Sequence, residues 1–112
     1  MPIMFGFSGH RRQQLLEEFR RMTEELPRLG VERAWLTGDL ADNRVRPESD
    51  LEFVLVHETA EPFRRRPDFF STHLRPTVGT QFIVYTPAEF NQLREIDQIL
   101  IDACRAGDAL LG

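Results

Sequence analysis

The stretch from Thr37 to Val56, TGDLADNRVRPESDLEFVLV, joins the strongest strand signal in the chain to an unusual pair of acids. With His57 its last part reads LEFVLVH, and residues that are apolar or β-branched on both faces predict a buried strand. Side chains alternate across a strand, so Asp50 and Glu52 are predicted to project from one face. Glu52 also interrupts an otherwise apolar run, and a carboxylate there needs a partner or a role.

More strands and a long helix are predicted around this stretch. Residues 31–37 and 81–85 predict two further strands, and the polar residues 39–49 predict an exposed loop or a short helix. Residues 11–29 carry apolar side chains at alternating steps of four and three, which is typical of one helical face. Gly30 follows directly and is a suitable C-terminal cap.

The second half of the chain is predicted to be less regular. Residues 58–78 contain three prolines, which predict an irregular crossover between strands. Thr86 and Glu89 are spaced as a capping box, which predicts the start of a second long helix. This helix is expected to end at Gly107, before a last short strand at 109–111.

Composition limits the class of protein. The chain has 112 residues and a net charge of −4, and its elements predict one α+β domain over 1–112, a small mixed β-sheet flanked by helices. The acidic balance argues against duplex DNA as a partner. All 14 basic residues are arginines, which excludes a Walker-type phosphate loop and Schiff-base chemistry, since both need lysine. A single cysteine and the lack of a long apolar run predict a cytoplasmic protein without a membrane segment.

The acidic pair also suggests a metal-bound nucleotide site. Two adjacent carboxylates such as Asp50 and Glu52 repel each other unless a cation lies between them. Mg²⁺ (or Mn²⁺) prefers such hard oxygen ligands, with phosphate oxygens completing its shell. Gly38 would let the backbone pass close to a ligand, and Arg44 and Arg46 could reach phosphate oxygens. The alternative is that Asp50 merely belongs to a turn that leads into the strand.

Two motifs carry a resemblance to a known family. Gly38 and Asp39 are followed, after ten residues, by DLEF at 50–53, and the spacer ends in RPES at 46–49. A later run, VYTPAEF at 84–90, follows a predicted strand. Both motifs resemble those of the polymerase-β-like nucleotidyltransferases in their minimal, single-domain form, and the resemblance covers most of the chain.

This resemblance implies Mg²⁺-dependent transfer of a nucleotidyl group to a hydroxyl of a protein or a small molecule. ATP is the usual donor in this family, so the resemblance implies that the transferred group is AMP. Asp50 and Glu52 would be the catalytic and metal-binding carboxylates. The nucleotide would be bound by the preceding loop, through Gly38, Asp39, Arg44, Arg46 and Ser49.

Three positions depart from the family pattern. Asp39 stands where the family has serine, and its charge would oppose the triphosphate. Residues 42–43 are Asp-Asn where Arg-Gly is usual. The third carboxylate, which usually activates the acceptor hydroxyl, is Gln81, and an amide cannot act as a general base. The alternative is therefore a catalytically degraded binding module, for example the antitoxin-like partner of a small helical protein in a toxin–antitoxin pair. A plain nucleotide or metal sensor is a third alternative.

The remaining polar clusters favour structural roles. The histidines lack metal-ligand spacing with each other or with Cys104, so no zinc site is expected. Residues 64–66, all arginine, predict a solvated loop. Trp35 is predicted to be in the core. Three aromatic side chains near the arginines are expected to cover the core beneath that loop: Phe63, Phe69 and Phe70.

Overall fold

A computed structural model describes residues 2–106 of the chain, with side chains over 8–105. The helices and strands are α1 (Pro2–Glu25), β1 (Val31–Thr37), α2 (Gly38–Ala41), β2 (Leu51–His57), α3 (Arg66–Leu74), β3 (Thr80–Tyr85), α4 (Pro87–Leu93) and α5 (Gln98–Ala106). They alternate along the chain up to α4, which is followed directly by α5. Short 3-10 helices at Leu26–Leu29 and Phe63–Arg65 extend α1 and precede α3.

The three strands form one mixed sheet with β2 in the centre. β1 pairs with β2 antiparallel, and β2 pairs with β3 parallel. The register places Thr37 opposite Glu52, and Glu52 beside Gln81. The end of β1 therefore lies at the same edge of the sheet as the starts of β2 and β3. This confirms the predicted α+β fold with a small mixed sheet.

Helices cover both faces of the sheet because β2 is apolar on both sides. On one face α1 and α3 pack, and the ring of Phe53 lies between those of Phe19 and Phe82, at 5.9 and 5.8 Å. On the other face α4 and α5 pack around Trp35, which is in the core as predicted. This second core consists of Trp35, Val54, Val56, Tyr85, Phe90, Leu100 and Ala103.

Several local predictions are confirmed. Strands β1 and β2 have the predicted bounds, and α1 buries Leu15 and Met22 from its predicted stripe. Gly30 caps the 3-10 extension of α1 with a φ of 92°, in the left-handed region that favours glycine. The capping box at the start of α4 forms as the spacing predicts.

The expected irregular crossover at 58–78 is wrong, because Arg66–Leu74 form α3. Pro67 lies in the first turn of that helix, where its missing N–H has no intrahelical partner to lose. The prediction that residues 64–66 form a solvated loop is wrong for Arg66. Arg66 is only 8% exposed, donates to both carboxylate oxygens of Glu89 at 2.6 and 3.1 Å, and donates to the Val84 carbonyl at 2.9 Å.

The prediction of one long helix after Thr86 is wrong, because the chain forms two helices there, α4 and α5. The chain turns after α4, and Asp97 starts a new helix by accepting the N–H groups of Ile99 and Leu100 at 2.9 and 3.2 Å. An aspartate that satisfies two free N–H groups is a typical helix start. The predicted end at Gly107 and the strand at 109–111 lie outside the described residues.

The aromatic side chains near α3 divide between the core and the surface. Phe70 is fully buried, as expected, but Phe63 and Phe69 are 51% and 38% exposed. The expectation that all three cover the core is therefore wrong for Phe63 and Phe69. Over residues 2–106 none of the helices has both the length and the apolar character needed to cross a membrane.

Candidate functional site

An open cavity of about 230 Å³ lies at the edge where β1 ends and β2 and β3 begin. Most of the residues predicted from the 37–56 stretch line it, although they come from three different elements. The lining residues are Gly38, Asp39, Arg46, Glu48, Ser49, Asp50, Leu51, Glu52 and Gln81. Arg44 is exposed and is not among them.

Gly38 makes the turn from β1 into α2 at the wall of the cavity. Its φ of 81° lies in the left-handed region, where a side chain is strained. A Cβ added at this position would also lie 3.3 Å from Cβ of Glu52. Glycine therefore allows the turn and the close approach of β1 to Glu52 at the same time.

The loop between α2 and β2 is held by a small polar network. The Ser49 hydroxyl donates to Oδ2 of Asp39 at 2.6 Å and accepts the Arg46 N–H at 2.8 Å. The Arg46 guanidinium lies 3.3 Å from the same Asp39 oxygen. These hydrogen bonds from Ser49 and then Arg46 hold the pKa of Asp39 below its usual value. Asp39 is thus an ionised acceptor that fixes the loop.

Asp50 is held at the start of β2 by a residue of the first helix. Nη2 of Arg11 lies 3.6 Å from Oδ1 of Asp50, and Nε of Arg11 donates to the Ser49 carbonyl at 2.8 Å. The Arg11 side chain is 19% exposed, whereas that of Asp50 is 50% exposed. Asp50 is therefore oriented by a largely buried cation while its carboxylate stays open to solvent.

Glu52 stands between this cavity and a second one. Its Oε2 accepts the Thr37 hydroxyl at 2.5 Å, which fixes the carboxylate against the end of β1. The second cavity, of about 200 Å³, is lined by Thr37, Glu52, Ile83, Ile99 and Asp102. Glu52 is thus the wall shared by the two cavities.

Gln81 lies beside Glu52 in the parallel register and lines the first cavity with it. A third carboxylate at this position would be next to the acidic pair, but the amide carries no charge. Within the described part of the chain, no three histidine, cysteine, aspartate or glutamate side chains are grouped so as to hold a metal ion.

The donor set suits one hard divalent cation better than two. Asp50 and Glu52 both line this cavity, and Mg²⁺ commonly uses one or two carboxylates together with phosphate oxygens and water. Arg46, which is 65% exposed, is the guanidinium on this wall that can turn toward a phosphate. The residues therefore fit a cation brought in with a phosphate ligand.

Three contributors to this region were not predicted from the sequence. Arg11 is 38 residues from Ser49, and only the packing of α1 brings them together. Asp102 reaches the second cavity from α5 in the same way. Glu48 lies within the RPES run, so its position beside the predicted ligands was the one available signal.

Comparison with known proteins gives no relative. No family model, curated protein or solved structure matches this chain.

Proposed function

We propose that this protein is a Mg²⁺-dependent nucleotidyltransferase that moves a nucleotidyl group, AMP from ATP, to an acceptor hydroxyl of a protein or a small molecule. The observation that supports it is the cavity at the sheet edge. It gathers six of the seven residues that the resemblance assigns to nucleotide and metal binding: Gly38, Asp39, Arg46, Ser49, Asp50 and Glu52.

Four of these residues have roles that their positions support. Asp50 and Glu52 hold Mg²⁺ (or Mn²⁺), which when bound neutralises phosphate charge. Arg46 contacts phosphate oxygens, and Gly38 lets the backbone approach them. In the transfer, the acceptor oxygen bonds to the α-phosphorus, pyrophosphate leaves, and the hydroxyl proton is released to solvent.

A catalytically degraded binding module is the second candidate, and Gln81 is the observation that favours it. The amide lies beside Glu52, where the resemblance places the third carboxylate, and it can serve neither as a general base nor as a charged metal ligand. In this candidate the fold would serve to bind a partner, such as a small helical protein, in the cytoplasm.

Label transfer separates the two candidates. The purified protein is incubated in a cell lysate with Mg²⁺ and with ATP labelled at either the α- or the γ-phosphate. Nucleotidyl transfer predicts that α-label becomes attached to an acceptor only when the protein is added, and that its addition does not change the attachment of γ-label by the kinases of the lysate. The isosteric variants Asp50→Asn and Glu52→Gln should abolish the α-label transfer. Absence of α-label transfer contradicts the enzyme and favours the binding module.

A further inference from the structure

Gly79 lies directly before β3 and in contact with the Asp50 side chain. A Cβ built on Gly79 would lie 2.3 Å from Oδ1, 2.7 Å from Cγ and 3.1 Å from Oδ2 of Asp50. The Asp50 carboxylate therefore occupies the space that any other residue at position 79 would fill with its own side chain.

Backbone conformation does not explain this glycine. Among the described residues the glycines with positive φ are Gly30 and Gly38, so position 79 is not in the left-handed region. The Leu51 N–H donates to the Gly79 carbonyl at 2.9 Å, which fixes the two chains side by side. What remains specific to glycine at position 79 is the room that it leaves for the carboxylate.

A side chain at position 79 would displace the carboxylate and leave the sheet intact. All three nearest atoms belong to the free end of the Asp50 side chain, and that side chain is half exposed. Rotation of the carboxylate into solvent relieves the overlap, while the Leu51–Gly79 hydrogen bond stays in place. The rotation would also draw the carboxylate away from the Arg11 guanidinium, 3.6 Å from it.

We propose that Gly79 is a positioning residue for the candidate metal site: its missing side chain leaves room for the Asp50 carboxylate at the wall of the cavity that Glu52 also lines. This inference rests on the proposed function, which makes Asp50 a metal ligand. Residues that orient a ligand affect metal affinity without contacting the metal themselves. Gly79 would act in this way, through Asp50 alone.

The test measures Mn²⁺ affinity by calorimetry and thermal stability for Gly79→Ala, Asp50→Ala and the double variant. Gly79→Ala should weaken Mn²⁺ binding about tenfold or more. In the Asp50→Ala background the same change should add less than about twofold, since the clashing atoms are gone. The control is Gly9→Ala, because a Cβ at Gly9 meets nothing within 4 Å. It should bind Mn²⁺ like the original chain.

Two results would overturn the inference. One is unchanged Mn²⁺ affinity in Gly79→Ala when Asp50→Ala has lost it, and the other is an equal loss from Gly79→Ala with and without Asp50. If Asp50→Ala itself binds Mn²⁺ normally, the proposed function fails at its metal site. A crystal structure of Gly79→Ala then still decides the steric part: a displaced Asp50 carboxylate supports it, and an unmoved one contradicts it.

Discussion

At the scale of single residues, the loop before β2 is held by the negative charge of Asp39. Asp39 accepts from Ser49 and pairs with Arg46, so the cation best placed to meet a phosphate is partly neutralised by its own loop. The hydroxyl of Ser49 is used in the same network and is 3% exposed. The loop is therefore well ordered but carries little free positive charge toward a nucleotide.

Replacing Asp39 with asparagine is expected to strengthen nucleotide binding. The amide oxygen can still accept the Ser49 hydroxyl, but the negative charge near the phosphates is gone and Arg46 is released. We expect Mg²⁺-ATP to bind about tenfold tighter. Calorimetric titration measures this. Weaker binding would instead indicate that Asp39 is itself a metal ligand.

Replacing Gln81 with aspartate is expected to increase metal affinity. The new carboxylate would lie beside Glu52 in the cavity, and the number of charged ligands raises affinity for hard cations. We expect Mn²⁺ to bind at least about tenfold tighter, with transferase activity increased if the acceptor is present. The matched control is Gln81→Asn, which is shortened but neutral. Unchanged Mn²⁺ binding in Gln81→Asp would mean that position 81 does not reach the cation.

At the scale of secondary-structure elements, two partly buried ion pairs help to hold the helices in place, one between α3 and α4 and one within α1. Arg66 at the start of α3 pairs with Glu89 of α4 and also donates to the Glu61 and Val84 carbonyls. Hydrogen bonds from Arg66 lower the pKa of Glu89. Glu18 of α1 accepts from Arg21 and from the Thr77 N–H that precedes β3. The first pair fixes α3 and α4 to each other beside β3, and the second fixes α1 to the segment that precedes β3.

Removing the Arg66 side chain should destabilise the fold strongly. Arg66→Ala removes this donor from the Val84 and Glu61 carbonyls and leaves the Glu89 carboxylate with the Thr86 N–H but no cation. Breaking such a pair costs about 3 kcal/mol. The exposed neighbour Arg65 is the matched control, and Arg65→Ala should change stability by less than about 0.5 kcal/mol. Urea unfolding measures both. Equal effects of the two variants would contradict the structural role of Arg66.

Glu18 makes the stability of the fold depend on pH. Its hydrogen bond from Arg21 lowers its pKa from 4.5 to about 2. A lowered folded pKa stabilises the fold above pH 4.5, and this contribution is lost as the pH falls toward 2. Glu18→Gln should lose roughly 2 kcal/mol near neutral pH and flatten the acid limb of the stability curve. Glu17→Gln, on the exposed face of α1, should keep the original curve; thermal unfolding across this pH range tests both.

How far the sequence predicts the fold differs from one element to the next. β1 and β2 are predicted with correct bounds because each contains a short apolar run, at residues 34–36 and 53–56, and the α4 start follows from the capping box. α3 is missed because Pro67 is interpreted as a breaker, although the same residue is favoured in a first helical turn. The break before α5 depends on one side chain, Asp97, whose capping role competes with an apolar pattern that runs through it.

The residues of the candidate site also divide into those that the sequence predicts and those that it does not. The predicted residues of the 37–56 stretch are close together in sequence, on α2, the loop after it and β2, and all of them except Arg44 line the cavity. Arg11 and Asp102 join them through the packing of α1 and α5 on the sheet. Gly79 joins them through the pairing of β3 with β2. No spacing in the sequence encodes those contacts, because each depends on the tertiary arrangement of a distant element.

At the scale of the whole molecule, helices cover both faces of the sheet and leave its edge open at one end. The described residues that line the cavity there carry four carboxylates and one guanidinium: Asp39, Glu48, Asp50 and Glu52 against Arg46. Such a cavity repels a bare triphosphate and attracts a divalent cation. The proposed function therefore requires the metal and the nucleotide to bind together.

Calorimetric titration of the protein with ATP, in Mg²⁺ and again in EDTA, tests this requirement most directly. We predict saturable binding with Mg²⁺ and none in EDTA. Asp50→Asn and Glu52→Gln should each weaken binding about tenfold or more, while Glu17→Gln leaves it unchanged. Absence of binding with Mg²⁺, or equal affinity in EDTA, would contradict a metal-bound nucleotide site at this edge of the sheet.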